Sequence, residues 1–192
     1  MTFNEIKEKL SNKTVGIAGC GGLGSNTAVA LARVGIGKLI IADFDVIIES
    51  NLNRQYFFFD QIGKKKSFAL KENIIRVNPN CIVEAHDILL NKDNIPNIFK
   101  NCDIVIEAFD LAEMKQMIIE TMLQHYSNIP LIVGSGLAGW GKFEEIAIEK
   151  NGNIYICGDR INEVSEQNPP LAPRVGIISN MQANIVLEIF LS

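Results

Sequence analysis

Short apolar segments alternate with longer segments of helical periodicity along the first 135 residues. Two apolar, β-branched segments, TVGIAGC at 14–20 and KLIIADFD at 38–45, predict strands. Between them, apolar side chains recur near helical spacing and the segment closes with a glycine, which predicts a helix. The alternation continues with a helix at 60–78, a strand at 81–85, a short helix at 92–100, a strand at 103–110, a helix at 112–126 and a strand from 130. This order predicts a Rossmann-like α/β fold, a mostly parallel sheet with helices on both faces.

The pattern changes after Gly136. KFEEIAIEK and GNIYICGD read as two antiparallel strands that meet at Asn151-Gly152, a strong hairpin dipeptide. A polar segment with three prolines follows, and the last segment predicts a helix that is apolar on more than one side. Such a helix is expected to be buried in an interface or under the sheet. No second boundary is visible, so we expect one domain over residues 1–192.

Composition and charge narrow the function. The chain has 192 residues, 47% hydrophobic and 21% charged, with a net charge of −4, as in soluble globular proteins. That charge offers no basic surface for nucleic acid. No apolar segment approaches the roughly 18 residues of a membrane span, and the charged N-terminal segment does not resemble a signal peptide. We therefore expect a cytoplasmic protein without a membrane or nucleic-acid partner.

The first chemical motif is GCGGLG, between the first strand and its helix. Gly19, Gly21 and Gly24 satisfy G-x-G-x-x-G, and Gly22 lies in the same loop. Such glycines let the backbone approach a phosphate at a helix N-terminus, where free N–H groups favour anions. Asp43, at the end of the second strand, is placed to bind ribose hydroxyls. Alone, these residues indicate a nucleotide, with NAD as the default.

Four further residues favour a triphosphate. Asn51 and Arg54 follow the second strand in the segment SNLNRQ, and Lys66 ends the run GKKK. Cations near a pyrophosphate-binding loop neutralise a triphosphate and stabilise a departing pyrophosphate. Asp110 ends the strand segment DIVIEAFD, at the edge of the sheet where α/β proteins bind ligands. A carboxylate there suits Mg²⁺, which takes one or two carboxylates together with phosphate oxygens.

At these residues the chain resembles a known family. The stretch GCGGLGSNTAVALARVGIGKLIIADFDVIIESNLNRQ, together with IGKKKSFALKENIIRVNP, DIVIEAFD and PPLAPRVGIISNMQAN, is similar to the ThiF/MoeB family, the bacterial relatives of ubiquitin-activating enzymes. The resemblance runs from about residue 14 to the end. It implies that Asn51 and Arg54 contact ATP, that Lys66 binds its phosphates, that Asp43 binds the ribose and that Asp110 associates with Mg²⁺.

The resemblance also implies a reaction. Members adenylate the C-terminal Gly-Gly carboxylate of a ubiquitin-fold carrier protein and release pyrophosphate. A carboxylate is already ionised near neutral pH, so no general base is needed. The two histidines, His86 and His125, accordingly lie outside every motif. The expected catalytic residues are Arg54, Lys66 and Asp110.

The cysteines depart from the family pattern. Many members bind a structural zinc through two CxxC pairs, whereas the four cysteines here form no such pair, so no zinc and no disulfide is expected. The loop at 159–173 contains no cysteine for covalent transfer, and the nearby Cys157 is expected to be a packed strand residue. This compact form resembles the ThiF-like adenylyltransferases of thiamine biosynthesis, which implies a ThiS-like sulfur carrier protein as partner.

The oligomeric state has two indications. The resemblance implies a homodimer, and the last helix offers apolar residues for an interface: Ile177, Ile178, Ile185, Val186, Ile189 and Phe190. The same residues could instead pack under the sheet. The first thirteen residues contain no arginine, so a contact made by some relatives, an N-terminal arginine in the partner's ATP site, is not carried over.

Other functions remain open at this point. A MoaD-like carrier for molybdopterin synthesis fits the same chemistry, and the sequence does not separate it from a ThiS-like one. A dehydratase of a modified tRNA base fits less well because the chain is acidic. An NAD-binding oxidoreductase leaves Asn51, Arg54 and Lys66 without a role. A binding module with a degenerate site is disfavoured, since all five ATP-site residues are intact.

Overall fold

The computed structural model describes residues 1–162 and 164–192. It contains one seven-stranded sheet, whose strands are β1 (Thr14–Ala18), β2 (Lys38–Ala42), β3 (Ile82–His86), β4 (Ile104–Glu107), β5 (Leu131–Ser135), β6 (Ala147–Asn151) and β7 (Ile154–Gly158). Their order in space is β3-β2-β1-β4-β5-β7-β6. All neighbours are parallel except β6 and β7, which form the antiparallel hairpin predicted at Asn151-Gly152.

Helices cover both faces of this sheet. They are α1 (Phe3–Leu10), α2 (Gly22–Val34), α3 (Lys66–Val77), α4 (Ile95–Phe99), α5 (Ala112–Tyr126) and α6 (Ala172–Leu191). One apolar core lies between the sheet and α2, α3 and α6, and the other lies under α4 and α5. The predicted α/β fold is confirmed. None of these helices is long and apolar enough to cross a membrane, within the part of the chain that is described.

One helix boundary differs from the sequence-based expectation, and one helix was not predicted. The helix expected from residue 60 begins at Lys66, because the backbone just before it is bonded elsewhere. The N–H of Ile47 donates to the carbonyl of Lys64, and the N–H of Lys66 donates to the carbonyl of Asp45. The sequence analysis also missed α1. Its signal was present in the first residues, where Thr2 and Glu5 form a capping box.

The last helix, α6, packs on α2 and on the sheet. Ile178, Ile185 and Val186 are buried in the core that α2 also lines. Polar bonds join the same elements, since the hydroxyl of Thr27 lies within hydrogen-bond distance of Gln182 Oε1, at 3.2 Å, and Gln182 Nε2 donates to the carbonyl of Glu107. The other three residues named for an interface, Ile177, Ile189 and Phe190, are half-buried. The homodimer stays a prediction.

Candidate functional site

The glycine loop brings two backbone segments into close contact at the start of α2. A Cβ added to Gly24 would lie 1.9 Å from the carbonyl oxygen of Gly19. A Cβ on Gly19 would lie 2.8 Å from the carbonyl oxygen of Ala108, at the end of β4. Gly21 is the N-cap of α2 and supplies no capping side chain. The first turn of this 13-residue helix thus keeps backbone N–H groups for an anion.

Asp43 joins the ends of β1 and β2. Its Oδ2 accepts the N–H of Cys20 at 2.6 Å, and its Oδ1 accepts the N–H of Asp45 at 2.8 Å. Burial raises the pKa of the Asp43 carboxyl, while these two bonds and the charge of Lys66 lower it. Each carboxylate oxygen has a second acceptor position, so both can still accept a ribose hydroxyl.

The segment after β2 is fastened to the glycine loop. Asn51 is buried, and its Oδ1 accepts the N–H of Ile48 at 3.1 Å. The amide of Asn26, on α2, donates to the carbonyls of both Gly22 and Arg54, at 2.7 and 2.8 Å. The alkyl chain of Arg54 lies against Gly22, whose added Cβ would be 3.5 Å from Arg54 Cγ. Arg54 therefore projects from a fixed backbone beside the loop.

The Arg54 guanidinium is held by its own segment and lies within range of the charge of Asp110. Its Nη1 donates to Asn53 Oδ1 at 2.7 Å and to the carbonyl of Ser50 at 3.3 Å. Burial lowers the pKa of Arg54, and the charge of Asp110 raises it. Asp110 itself is exposed and makes no hydrogen bond or ion pair within residues 1–162 and 164–192. An exposed carboxylate and a cation held by its own segment thus influence each other through their charges.

Lys66 is the buried member of the lysine run. It begins α3, its side chain is 8% exposed, and its Nζ lies 2.7 Å from Asp45 Oδ2. Lys64 and Lys65 form ion pairs on the exposed surface. The identification of Lys66 as the phosphate lysine stays a prediction. Its burial distinguishes Lys66 from the exposed Lys64 and Lys65.

The structure brings all the predicted site residues to one edge of the sheet. They lie at or after the carboxyl ends of β1, β2 and β4, and they are Gly19, Gly21, Gly22, Gly24, Asp43, Asn51, Arg54, Lys66 and Asp110. Lys66, paired with Asp45, lowers the pKa of Asp43 through its charge, and Asp110 raises the pKa of Arg54 through its charge. This edge is where open α/β sheets bind ligands.

One ion pair near the site was not anticipated. Glu107 is fully buried at the end of β4, and Lys115 Nζ lies 2.9 and 3.0 Å from its two carboxylate oxygens. Glu107 also accepts the N–H of Phe109 at 2.6 Å, while Lys115 donates to the carbonyl of Gly134. Burial raises the pKa of Glu107, and Lys115 lowers it. The pair fixes the turn that carries Asp110. The sequence offered one sign of this pair: Glu107 is the single acidic residue of an otherwise apolar strand.

The structure bears differently on the two metals considered. In the described part of the chain, no three His, Cys, Asp or Glu side chains are grouped as a metal site, and the four cysteines are free and buried. The absence of zinc stays a prediction. For Mg²⁺ the residues fit, because Asp110 offers an unpaired carboxylate at the phosphate end of the glycine loop.

The fold and this glycine-rich helix start define a Rossmann-like α/β protein. The ThiF family model matches residues 2–192, and the chain belongs to the ThiF family. The resemblance found in the sequence is confirmed. The chain is 33% identical over 191 residues to the adenylyltransferase and sulfurtransferase MOCS3 of Caenorhabditis briggsae. This alignment covers 95% of the chain and 47% of that protein. It is 32% identical over 154 residues to adenylyltransferase and sulfurtransferase UBA4 of Candida albicans, covering 80% of the chain and 35% of the relative. The chain spans less than half the length of these relatives.

Solved structures show the same fold. The E. coli tRNA N6-threonylcarbamoyladenosine dehydratase TcdA, in complex with ATP, superposes with a TM-score of 0.87 at 22% identity, over 97% of this chain and 89% of that one. E. coli MccB with ATP superposes with a TM-score of 0.75 at 24% identity, over 96% and 58%.

Proposed function

We propose that this chain is an ATP-dependent adenylyltransferase that activates the C-terminal Gly-Gly carboxylate of a ThiS-like, ubiquitin-fold sulfur carrier protein. The carrying observation is the pair of fixed cations, Arg54 and Lys66, on either side of the glycine loop at the anion-binding end of α2. An NAD enzyme has no evident use for both. The names of the curated relatives, which are adenylyltransferases, support the same activity.

The proposed reaction joins a carboxylate to the α-phosphate. A carboxylate oxygen attacks the α-phosphorus, the bond from that phosphorus to the bridging oxygen breaks, and pyrophosphate leaves with the bond's electrons. Charge then moves toward the leaving group, where Lys66 and Arg54 stabilise it without needing to move far. Asp43 and Asn51 are proposed to orient the nucleoside and the phosphates. No proton transfer is required.

Magnesium is part of the proposal. Asp110 would hold the ion, and a bound Mg²⁺ would neutralise phosphate charge. Arg54, beside Asp110, would contact the same phosphate groups. This assigns the two side chains to one end of the triphosphate, opposite the Asp43 end.

The ThiS-like carrier is proposed from the compact, CxxC-free architecture of the chain. A MoaD-like carrier is the alternative, and a specific observation favours it. A probable molybdopterin-synthase adenylyltransferase of Porphyra purpurea is 35% identical over 121 residues, covering 62% of this chain and 32% of that protein. We also propose a homodimer, from family resemblance alone, and light scattering of the purified protein tests it.

The test is ATP–pyrophosphate exchange, with purified ThiS-like and MoaD-like carriers in parallel and without a carrier. Exchange with the ThiS-like protein alone supports the proposal. Exchange with the MoaD-like protein alone supports the alternative. A carrier truncated before its terminal Gly-Gly is the control, because it keeps the ubiquitin fold and lacks the acceptor tail. Exchange with neither carrier contradicts the proposed function.

A further inference from the structure

The side chain of Gln55 is buried beside the glycine loop without a hydrogen-bond partner. Gln55 ends the segment SNLNRQ and is 8% exposed. Within residues 1–162 and 164–192, its buried Oε1 has no partner and its Nε2 makes no hydrogen bond. Buried polar groups in proteins are almost always bonded, and leaving one unpaired costs free energy. The carboxamide is therefore a cost to the fold that an apolar side chain of the same size would avoid.

The backbone around Gln55 is, in contrast, fastened to the first turns of α2 on both sides. The carbonyl of Arg54, just before it, accepts from Asn26 Nδ2 at 2.8 Å. The N–H of Tyr56, just after it, donates to Ser25 Oγ at 2.9 Å. Asn26 and Ser25 both belong to α2. The position from which the Gln55 side chain starts is therefore set by the helix that begins at the glycine loop.

The amide of Gln55 lies at the start of that helix. A Cβ added to Gly21, the N-cap of α2, would lie 3.8 Å from Gln55 Nε2. In the described chain, no other heavy atom beyond the immediate neighbours of Gly21 comes within 4 Å of that Cβ position. Gly21 supplies no capping side chain, so the first backbone N–H groups of α2 stay available for an anion. The open space beside Gly21 is thus bordered by a helix N-terminus and by the Gln55 amide.

Arg54 and Gln55 approach two successive glycines of the loop. Arg54 Cγ lies 3.5 Å from the position of a Cβ on Gly22, and Gln55 Nε2 lies beside Gly21. Arg54 brings a cation to the loop, whereas Gln55 brings a neutral group with two N–H donors. Phosphate oxygens are strong acceptors and match such donors. The two neighbouring residues therefore offer donors of different charge to one anion site.

A purely structural role does not account for this amide. Gln61 is also buried, and its carboxamide is used within the chain. Its Nε2 donates to Asn73 Oδ1 at 2.9 Å, and its Oε1 accepts the N–H of Phe58 at 3.1 Å. Gln55 makes no such bonds. The contrast between these two buried glutamines points to a partner for Gln55 that is not part of the chain.

We propose that Gln55 is a phosphate-binding residue: its Nε2 donates to the anion that binds at the start of α2, beside the backbone N–H groups of the glycine loop. The inference rests on the proposed function, under which this anion is a phosphate group of ATP. The unpaired Oε1 is then the cost of holding Nε2 at the loop before ATP arrives. A donor that is already ordered loses less conformational freedom when the ligand binds.

The experiment measures nucleotide binding to the full chain by isothermal titration calorimetry, without a carrier. Gln55→Leu keeps a similar size and removes the donor, so the Kd for ATP is expected to rise about tenfold, as for the loss of one hydrogen bond to a charged group. Adenosine lacks phosphates, and its Kd is expected to stay within twofold of wild type. Gln116→Leu is the control, because Gln116 is an exposed glutamine of α5 that bonds Glu120. It is expected to leave both Kd values within twofold.

Gln55→Glu separates the donor from the shape of the side chain. The substitution keeps the size and replaces Nε2 by a carboxylate oxygen, which repels a phosphate. The Kd for ATP is therefore expected to rise further than in Gln55→Leu. Circular dichroism checks that each variant is folded. If Gln55→Leu is not folded, Gln55→Met takes its place.

Urea unfolding without nucleotide gives a readout that a structural role would move in the opposite direction. Gln55→Leu removes an unpaired buried oxygen, so its urea midpoint is expected to equal or exceed that of the wild type. Gln61→Leu removes a bonded amide and leaves Asn73 short of a partner, so its midpoint is expected to fall. A fall in the midpoint of Gln55→Leu with unchanged ATP affinity overturns the inference, because Gln55 is then a structural residue.

The outcomes separate the inference from the proposed function. A raised Kd for ATP in both Gln55 variants, with unchanged adenosine affinity, supports the inference. Unchanged ATP affinity in the folded variants overturns it while the adenylyltransferase function stands. An equal loss of ATP and adenosine affinity also overturns it, because the effect is then not on a phosphate. If the wild type binds ATP but shows no exchange with any carrier, the proposed reaction fails, and the binding data alone decide the role of Gln55.

Discussion

The Nζ of Lys66 lies 2.7 Å from Asp45 Oδ2, and the two partners differ in exposure. The lysine side chain is 8% exposed and the aspartate side chain 47%. The cation is therefore already in place beside Asp43, while its counterion can reach solvent. A triphosphate can compete with Asp45 for the Lys66 ammonium, and little further desolvation of the lysine is needed because its side chain is already buried. The arrangement is preorganised in the sense that electrostatic catalysis requires.

Lys66→Met should reduce carrier-dependent exchange strongly. Loss of one preorganised charge is expected to remove about 2–4 kcal/mol of transition-state stabilisation, a rate decrease of ~30-fold or more. Lys64→Met is the matched control, because Lys64 is an exposed lysine of the same run whose partner is Glu72. Exchange rates for the folded variants check the prediction. Equal rates for the two variants would contradict the assignment of Lys66.

Asp110→Asn should change the magnesium requirement. The substitution keeps the size of the side chain and removes the charge that would attract the ion, so the Mg²⁺ concentration for half-maximal exchange is expected to rise at least tenfold. Arg54 is expected to stay in place, since its guanidinium donates to the carbonyl of Ser50 and to Asn53 Oδ1. A magnesium titration at saturating ATP is the measurement. An unchanged half-maximal concentration would mean that Asp110 has a different role.

Lys115→Met should destabilise the fold through Glu107. The substitution leaves a fully buried carboxylate without its cation, which is expected to lower the free energy of unfolding by about 3–5 kcal/mol at neutral pH. Burial raises the pKa of Glu107, and Lys115 lowers it. Without the lysine, the pKa of Glu107 is expected to be higher than in the wild type. A carboxyl whose pKa is raised in the folded protein adds least to the cost of folding at low pH, where it is protonated, and the free energy of unfolding falls as the pH rises. The deficit relative to wild type should therefore grow from pH 4 to pH 7.

Urea unfolding at both pH values measures that difference. The double variant Glu107→Gln, Lys115→Met is the control, because it removes the charge together with the lysine. It is expected to be more stable at neutral pH than Lys115→Met alone. A pH-independent deficit would show that lost packing, and not the unpaired carboxylate, is responsible.

Gly24→Ala should disrupt the glycine loop. The added methyl would lie 1.9 Å from the carbonyl oxygen of Gly19, so the loop has to move. We expect ATP affinity to fall at least tenfold, measured by isothermal titration calorimetry. Gly176→Ala is the control, because a Cβ there meets nothing within 4 Å and alanine favours the interior of α6. Similar ATP affinities for the two variants would argue against a phosphate at this loop.

Cys157→Ala should leave exchange unchanged. The thiol is fully buried, and burial raises its pKa to about 12, so it stays protonated at neutral pH. No thioester with the carrier is expected. A carrier adduct that a thiol releases, and that the variant does not form, would contradict this expectation.

Much of the fold follows from local patterns in the sequence. β1 and β2 are short apolar segments with β-branched residues, bounded by glycine and polar residues, and their length favours strands. The start of α3 was misplaced because residues 64–66 are bonded to the strand-like segment 45–47, a tertiary pairing that helix periodicity does not contain.

The predicted site residues that share a motif lie together in the structure, while their roles stay predictions. The glycine loop, Asn51 and Arg54 lie within one continuous stretch, and the structure brings them together. Two buried ion pairs were missed for a physical reason. Glu107 and Lys115 are eight residues apart, and Asp159 and Arg174 fifteen, and nothing in a single sequence shows that both members of a pair are inside the protein. An ion pair has a large effect on stability only when it is buried, and burial depends on the tertiary structure.

The packing of α6 on α2 has a consequence for the order of folding. Thr27, in the helix that begins at the glycine loop, contacts Gln182, 155 positions later in the chain. During synthesis the nucleotide-binding helix is therefore made early and gains its covering helix late. Such long-range closure is slow, because chain entropy is lost before the contact forms. A nascent chain that ends before residue 172 would expose the apolar side of α2 that α6 covers in the folded protein.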